Sequence, residues 1–336
     1  WENLVRTSSK IVTLVDVGGD GKYINTMFTG LCAHTPDYVF INISGEVGVT
    51  ETTRQHLKLA LTLGAPVVLV VTKLDKIDED QIFDLSFEIK SLLREGALSK
   101  HPITIKSNED VVLCSRNLDE NIIPVFFVSN VTLQGVDALT NFLNLIPVSQ
   151  SWAGNQGNFP EFLIDESFPN HEEDMIVTGM VIQGSLRKYQ PMLLGPDNDG
   201  GYRLVEIRDI HCKRVDVRSA VAGQSCSIAI TMGQSTIKWL NSIHGIRKGM
   251  VLVDPKLKPR AYWEFDAEVI SFRKEVEEEF CSWNHQPIIH TQTIRQAARI
   301  ISVNHGARLE QPSSSDPNNN NNKFCISANK KQIIRF

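Results

Sequence analysis

The 336-residue chain has a formal charge of −5 and is 42% hydrophobic, which suits a globular protein of two or three domains with real cores. Its mild acidity excludes a globally basic nucleic-acid binder but leaves room for a local basic patch. No apolar run approaches the roughly 20 residues needed to cross a bilayer, and no signal-peptide pattern is visible.

The chain begins at Trp1, just before a predicted strand, which points to a truncated amino end. Lys10–Val15 reads as that strand, followed by the turn Asp16-Val17-Gly18-Gly19 and helical spacing from about Lys22. Tyr38–Ile43 is a second predicted strand, and Thr50–Leu63 a helix with Leu57, Ala60 and Leu61 on one side. Val67–Val71 is a third strand; its five apolar residues, four of them valine, fit a strand buried on both faces of a parallel sheet. Asp80–Leu93 is an amphipathic helix, Val125–Val128 a fourth strand and Val136–Leu145 a closing helix. Strands alternating with helices predict an α/β unit with a parallel sheet. Residues 94–121 show little periodicity and read as a surface insertion.

After Ile146 the pattern changes. Pro147–Phe159 has linker composition, and short strands with Gly turns follow at Met175–Gln183, Pro191–Leu194, Leu204–His211, Ser225–Ala229 and Gly249–Val253. A break at Pro255–Pro259 precedes another β unit opening at Trp263–Phe272. That unit is interrupted by a polar loop, Ser313–Asn322, that cannot support a core. The predicted parts are 1–150, 151–258 and 259–336.

The chemistry concentrates at the carboxyl edge of the sheet, where open α/β sheets bind ligands. Thr72-Lys73-Leu74-Asp75 ends the third strand. The Asp75 carboxylate can accept two hydrogen bonds, from the ring N–H and the exocyclic amine of guanine, while adenine offers no such donor pair on that edge. The Lys73 stem can lie along the base plane with its ammonium kept polar. Asp16, after the first predicted strand, can hold Mg²⁺ through water, and Gly19 lets a backbone N–H approach a terminal phosphate. Ser129-Asn130, after the fourth strand, offers backbone N–H groups to the guanine carbonyl.

Three such loops in this order resemble a translational GTPase of the elongation-factor-Tu type. Val177-Thr178-Gly179 through Gly184-Ser185-Leu186-Arg187, Ala222-Gly223-Gln224 and Ile246–Val251 resemble turns of that family's second barrel, and Glu264–Val269 the start of its third domain. Thr72 in place of Asn, Lys22-Tyr23 and Trp263-Glu264-Phe265 look like the branch of GTP-binding proteins 1 and 2. The implied architecture is multidomain α/β plus β, an incomplete P-loop-type GTPase domain followed by β-barrel domains. The resemblance implies GTP/GDP with Mg²⁺ as ligands, tRNA and the ribosome as partners, neither DNA nor membrane, and a cytoplasmic location. Six cysteines with no Cys-x-x-Cys spacing agree with reduced cytosolic thiols. By position, Asp16 stands on the Mg²⁺ side, Gly19 at the γ-phosphate, and Thr72, Lys73, Asp75, Ser129 and Asn130 around the base.

Two departures qualify the resemblance. The residue after Gly19, a histidine in the family, is Asp20, whose charge would repel phosphate and could not position water as the histidine does, so slow hydrolysis is expected. Gly-x-x-x-x-Gly-Lys-Ser/Thr is missing: counted back from Gly21-Lys22, the first glycine falls on Asp16, and Tyr23 stands at the hydroxyl position. The missing strand would leave a gap between Lys10–Val15 and Val67–Val71, and poor GTP binding by a fragment is the expectation. The alternative is a non-hydrolysing RNA- or protein-binding module with a degenerate nucleotide domain. Cys281-x3-His285-x4-His290 lacks a fourth zinc ligand, and His211 and Cys212 point to opposite faces of a strand. Arg203, Arg208, Lys213, Arg214 and Arg218 fit either RNA phosphates or a solvated barrel face, since Glu206, Asp209 and Asp216 interleave with them.

Overall fold

Val67–Thr72 places Val67, Leu69 and Val71 against one layer of helices and Val68 and Val70 against another, and all five are buried. The computed structural model describes residues 2–94, 100–118, 121–147, 152–171, 174–242, 245–269, 278–282, 286–304, 309–310, 323–327 and 332–336. They divide into two compact units, 1–155 and 156–336.

In the first unit, helices α1 (Glu2–Thr7) and α2 (Ile24–His34) precede strand β1 (Val39–Ser44) and helix α3 (Glu51–Thr62). The Thr50 hydroxyl accepts the Thr53 N–H, and the Thr53 hydroxyl returns to the Thr50 N–H, a reciprocal cap that starts α3. Next come β2 (Val67–Thr72), α4 (Glu79–Arg94), β3 (His101–Thr104), α5 (Asn108–Arg116), β4 (Ile122–Phe127) and α6 (Val136–Leu145). The sheet is parallel with order β1-β2-β4-β3. Helices α2, α3 and α4 cover one face; α5 and α6 cover the other, with Phe126 and Phe142 edge to face at 5.1 Å.

Three expectations change. Lys10–Val15 is not a strand: it is irregular, with Leu14 83% exposed, and it joins none of the sheets formed by the described residues. Lys10 instead donates to the Leu143, Asn144 and Ile146 carbonyls at 3.0, 2.5 and 2.7 Å, satisfying the carboxyl end of α6. Residues 94–121 are not a surface insertion, because β3 joins the sheet and Val111 and Cys114 of α5 are buried in its core. The sequence hid them because β3 has four residues and α5 nine. Finally, no gap borders β2, which pairs with β1 and β4; among the described residues the edge strands are β1 and β3.

The second unit contains β5 (Glu161–His171), β6 (Asp174–Gln183), β7 (Ser185–Arg187), β8 (Pro191–Gly195), β9 (Arg203–Cys212), β10 (Val215–Asp216), β11 (Ser219–Val221), β12 (Ser225–Thr231), α7 (Gln234–Ser242) and β13 (Val251–Val253). Ladder pairings run β9-β12-β6-β5-β13-β8 and return from β8 to β9, closing a six-stranded antiparallel barrel. Phe162, Ile164, Val177, Val181, Ile207, Ile210 and Ile228 fill it. Further antiparallel pairing follows, in which β14 (Asp266–Val269) sits beside a terminal strand at Gln332–Arg335. The Asn-rich run and His285 lie outside the described residues. Among the described residues, no helix is long and apolar enough to cross a membrane.

Candidate functional site

Because β1, β2 and β4 are parallel neighbours, the loops that follow them emerge at one edge of the sheet. After β2, Lys73 turns the chain with φ 63° and ψ 39°, a left-handed conformation uncommon for a residue with a Cβ. A single 3₁₀ turn, Leu74–Lys76, follows, with Leu74 buried beneath it. The two loops are tied by their backbones: Val128 N–H donates to the Val71 carbonyl at 2.8 Å and Leu74 N–H to the Val128 carbonyl at 3.3 Å.

Ser129 is fully buried, and its Oγ lies 2.5 Å from Asp75 Oδ1. The same Oγ accepts the Val131 and Thr132 N–H groups, each at 3.2 Å. A hydroxyl has two acceptor positions and one proton, so that proton must point at Asp75. Asp75 Oδ1 thereby accepts, and the residue is exposed, with its other oxygen directed away from Ser129. Ser129 N–H is taken by the Gln134 carbonyl at 3.0 Å. Of the four N–H groups from Ser129 to Thr132, this leaves that of exposed Asn130 with no hydrogen bond within the described residues. The expectation of several N–H groups behind the base narrows to one.

Glu46, two residues past β1, was missed in the sequence. Its carboxylate oxygens meet Lys73 Nζ and Lys76 Nζ, each at 3.1 Å. The Lys76 and then the Lys73 ammonium hold its carboxyl below the ordinary value. The signal was its distance from the end of a neighbouring parallel strand: Ser44-Gly45-Glu46 runs beside Thr72-Lys73-Leu74, and Gly45 N–H donates to the Thr72 carbonyl at 2.8 Å. The Thr72 hydroxyl turns back to the Ile43 carbonyl at 3.4 Å.

Asp16 and Gly19 behave differently. Both are exposed on an irregular segment. Nothing lies near where a Gly19 Cβ would stand, whereas a Cβ on Gly18 would overlap the Tyr23 side chain, so Gly18 is the glycine that packing uses. Asp20 accepts the Lys22 N–H at 3.0 Å and caps the 3₁₀ turn Gly21–Tyr23. Its carboxylate is therefore a local cap. Asp16 offers one exposed carboxylate on this segment. Among the described residues, the group with metal-ligand spacing is Asp209, His211 and Asp216 on the barrel. The Lys188 ammonium already lies 2.5 Å from Asp209 and 2.6 Å from Asp216 there.

The barrel's basic residues are largely engaged. Arg208 pairs with Asp174, and Arg203 lies over the Trp239 ring at 5.4 Å. Lys213 and Arg214 form the tip of the β9–β10 hairpin, at φ 52° and 64°.

Residues 3–148 match the family model described as the elongation factor Tu GTP binding domain. GTP-binding protein 1 of Xenopus laevis is 32% identical over 305 residues, which cover 90% of this chain and 44% of that protein. Residues 3–148 are thus a domain of the elongation factor Tu GTP-binding type. Human GTP-binding protein 2 is 28% identical over 313 residues, covering 90% of this chain and 49% of its own length. The chain thus spans about half the length of the curated relatives it matches. Translation elongation factor SelB of Methanococcus maripaludis, solved with the GTP analogue GppNHp, shares the fold at a TM-score of 0.58 and 17% identity, over 95% of this chain and 63% of that one. The family's α/β domain followed by a closed barrel is the architecture described above.

Proposed function

We propose that this chain supplies the guanine-reading edge and the barrel surfaces of a GTP-dependent, elongation-factor-like protein. The observation that carries the reading is the Ser129–Asp75 hydrogen bond, which aims a carboxylate outward from the edge where the Lys73 and Asn130 loops meet. Asp75 accepts the ring N–H and exocyclic amine of guanine, Lys73 lays its stem along the base with its ammonium paired to Glu46, and Asn130 N–H meets the base carbonyl. Thr72 shapes the turn, while Asp16 and Gly19 belong to the phosphate side.

The phosphate side supports weaker binding. The sequence contains no Gly-x-x-x-x-Gly-Lys-Ser/Thr, so no cradle of N–H groups meets the phosphates, and Asp20 is occupied as a cap. Hydrolysis by this chain is slow on this account. The same observations favour a second role, in which the barrels contact RNA and the nucleotide domain reports only the base. The hairpin tip Lys213–Arg214 is where RNA phosphates of tRNA or ribosome would be met, in the cytoplasm.

Equilibrium dialysis of the chain against GTP and ATP tests the reading. Saturable binding that prefers guanine and is weaker than low-micromolar supports it. Equal binding of both nucleotides removes the role of Asp75, and nanomolar to low-micromolar GTP binding removes the claim that the phosphate side is weak.

A further inference from the structure

The barrel holds two thiols that the nucleotide reading does not use. Cys212 ends β9, and Cys226 lies directly opposite it on β12. Directly opposed residues of antiparallel strands have Cα atoms about 4.5 or 5.5 Å apart, and both separations fall within the ~4.4–6.8 Å span of disulfides. Directly opposed side chains project to the same face of a sheet, so the two thiols face one another across the ladder. Cys226 is buried at 5% exposure, whereas Cys212 is half-buried, with its sulfur 4.0 Å from the Gln224 Oε1.

We propose that Cys212 and Cys226 form an oxidisable dithiol whose substrate is a peroxide, with Cys212 as the attacking sulfur and Cys226 as the resolving one. Three features separate this pair from ordinary core thiols. Its two residues share one register position of the β9–β12 ladder, at a Cα spacing that a disulfide can span. The outer sulfur is the one a small solute reaches first. The neighbouring Cys226 thiol, and after it the Lys213 ammonium, hold the Cys212 thiol below its ordinary pKa, while Cys212 and then burial push Cys226 up. Cys212, the more exposed of the two, is the sulfur that meets a peroxide as the nucleophilic thiolate. Cys32 and Cys114 differ in this respect, since burial raises both, Cys114 to about 11.

The Cys212 thiolate attacks one peroxide oxygen; the O–O bond breaks, hydroxide leaves and takes up a proton, and Cys212 becomes a sulfenic acid. The charge that held the Cys226 proton is then gone. Cys226 gives up its proton, its sulfur attacks Sγ of Cys212, and the sulfenic oxygen leaves as water. In sum, two thiols and one hydrogen peroxide yield one disulfide and two waters. The crosslink ties β9 to β12 directly behind the Lys213–Arg214 tip.

The test treats the whole chain with hydrogen peroxide, quenches it by alkylation and maps the peptides by mass. The expected result is loss of two alkylatable thiols, both in one crosslinked pair of peptides carrying Cys212 and Cys226, restored by dithiothreitol. In Cys226→Ala, Cys212 should instead be trapped by dimedone as a sulfenic acid. Two outcomes would overturn the proposal: Cys212 and Cys226 still alkylating after Cys32 has been oxidised, or Cys212 accumulating sulfinic acid in the unaltered chain while Cys226 stays free.

Discussion

Ser129 makes three hydrogen bonds with one buried oxygen, two accepted and one donated. Replacing it by Ala leaves the Val131 and Thr132 N–H groups without their acceptor and frees Asp75 to rotate. Ser129→Ala should cost about 1–3 kcal/mol in denaturant unfolding and should weaken guanine preference together with stability. A second residue carries a pH dependence. Asp197 accepts the Trp239 indole N–H at 2.8 Å and the Gly201 and Asp199 backbone N–H groups at 2.5 and 3.0 Å. The Trp239 bond chiefly, then the backbone groups, holds its carboxyl below the ordinary range. Its pKa is lower folded than unfolded, so its contribution is full above the unfolded value near ~3.9 and is lost as pH falls through the folded one. Acid titration of stability should show a shallower fall below about pH 4 in Asp197→Asn than in the unaltered chain; identical slopes would count against that linkage.

At the scale of elements, the β9–β10 hairpin turns through two consecutive left-handed residues, Lys213 and Arg214. Such turns favour Asn-Gly, because each Cβ in that region costs roughly 1 kcal/mol. Lys213→Asn with Arg214→Gly should therefore raise stability by about 1–2 kcal/mol by thermal melting, while lowering affinity for a structured RNA at low salt. Unchanged RNA affinity would leave the tip with no RNA role. Most elements were legible because period and burial agreed: β2 is apolar on both faces, and α3, α4 and α6 repeat at helical spacing. The misses have physical causes. Lys10–Val15 has strand composition but no partner strand among the described residues, and composition does not report partners. β3 and α5 were too short to show a period, although Ser107 and Asp110 form a reciprocal cap that marks where α5 starts. The placing of Glu46 and the Cys212–Cys226 pairing follow from register between strands, which period and composition do not report.

Across the whole molecule, the loops proposed to read a base are tied to each other, whereas the segment proposed for the phosphate side is irregular. The two loops after β2 and β4 are fastened by Val128–Val71, Leu74–Val128 and Ser129–Asp75 bonds, whereas Asp16 and Gly19 lie exposed and Asp20 caps its own turn. Gly135 supports that edge, at φ 73° and with its α-carbon so close to the Phe127 carbonyl that a Cβ would overlap the oxygen. Gly135→Ala should thus lower stability by more than about 1 kcal/mol and loosen the Ser129 loop, seen as faster amide exchange at Val131 and Thr132. The central claim is that Asp75 reads guanine. Its most direct test is the ratio of xanthosine triphosphate to GTP affinity in Asp75→Asn against the unaltered chain, measured by saturation-transfer NMR competition. Xanthine carries a carbonyl where guanine has an amine, so an amide at position 75 should move the ratio toward xanthosine triphosphate by about tenfold to a hundredfold. An unchanged ratio would contradict the account.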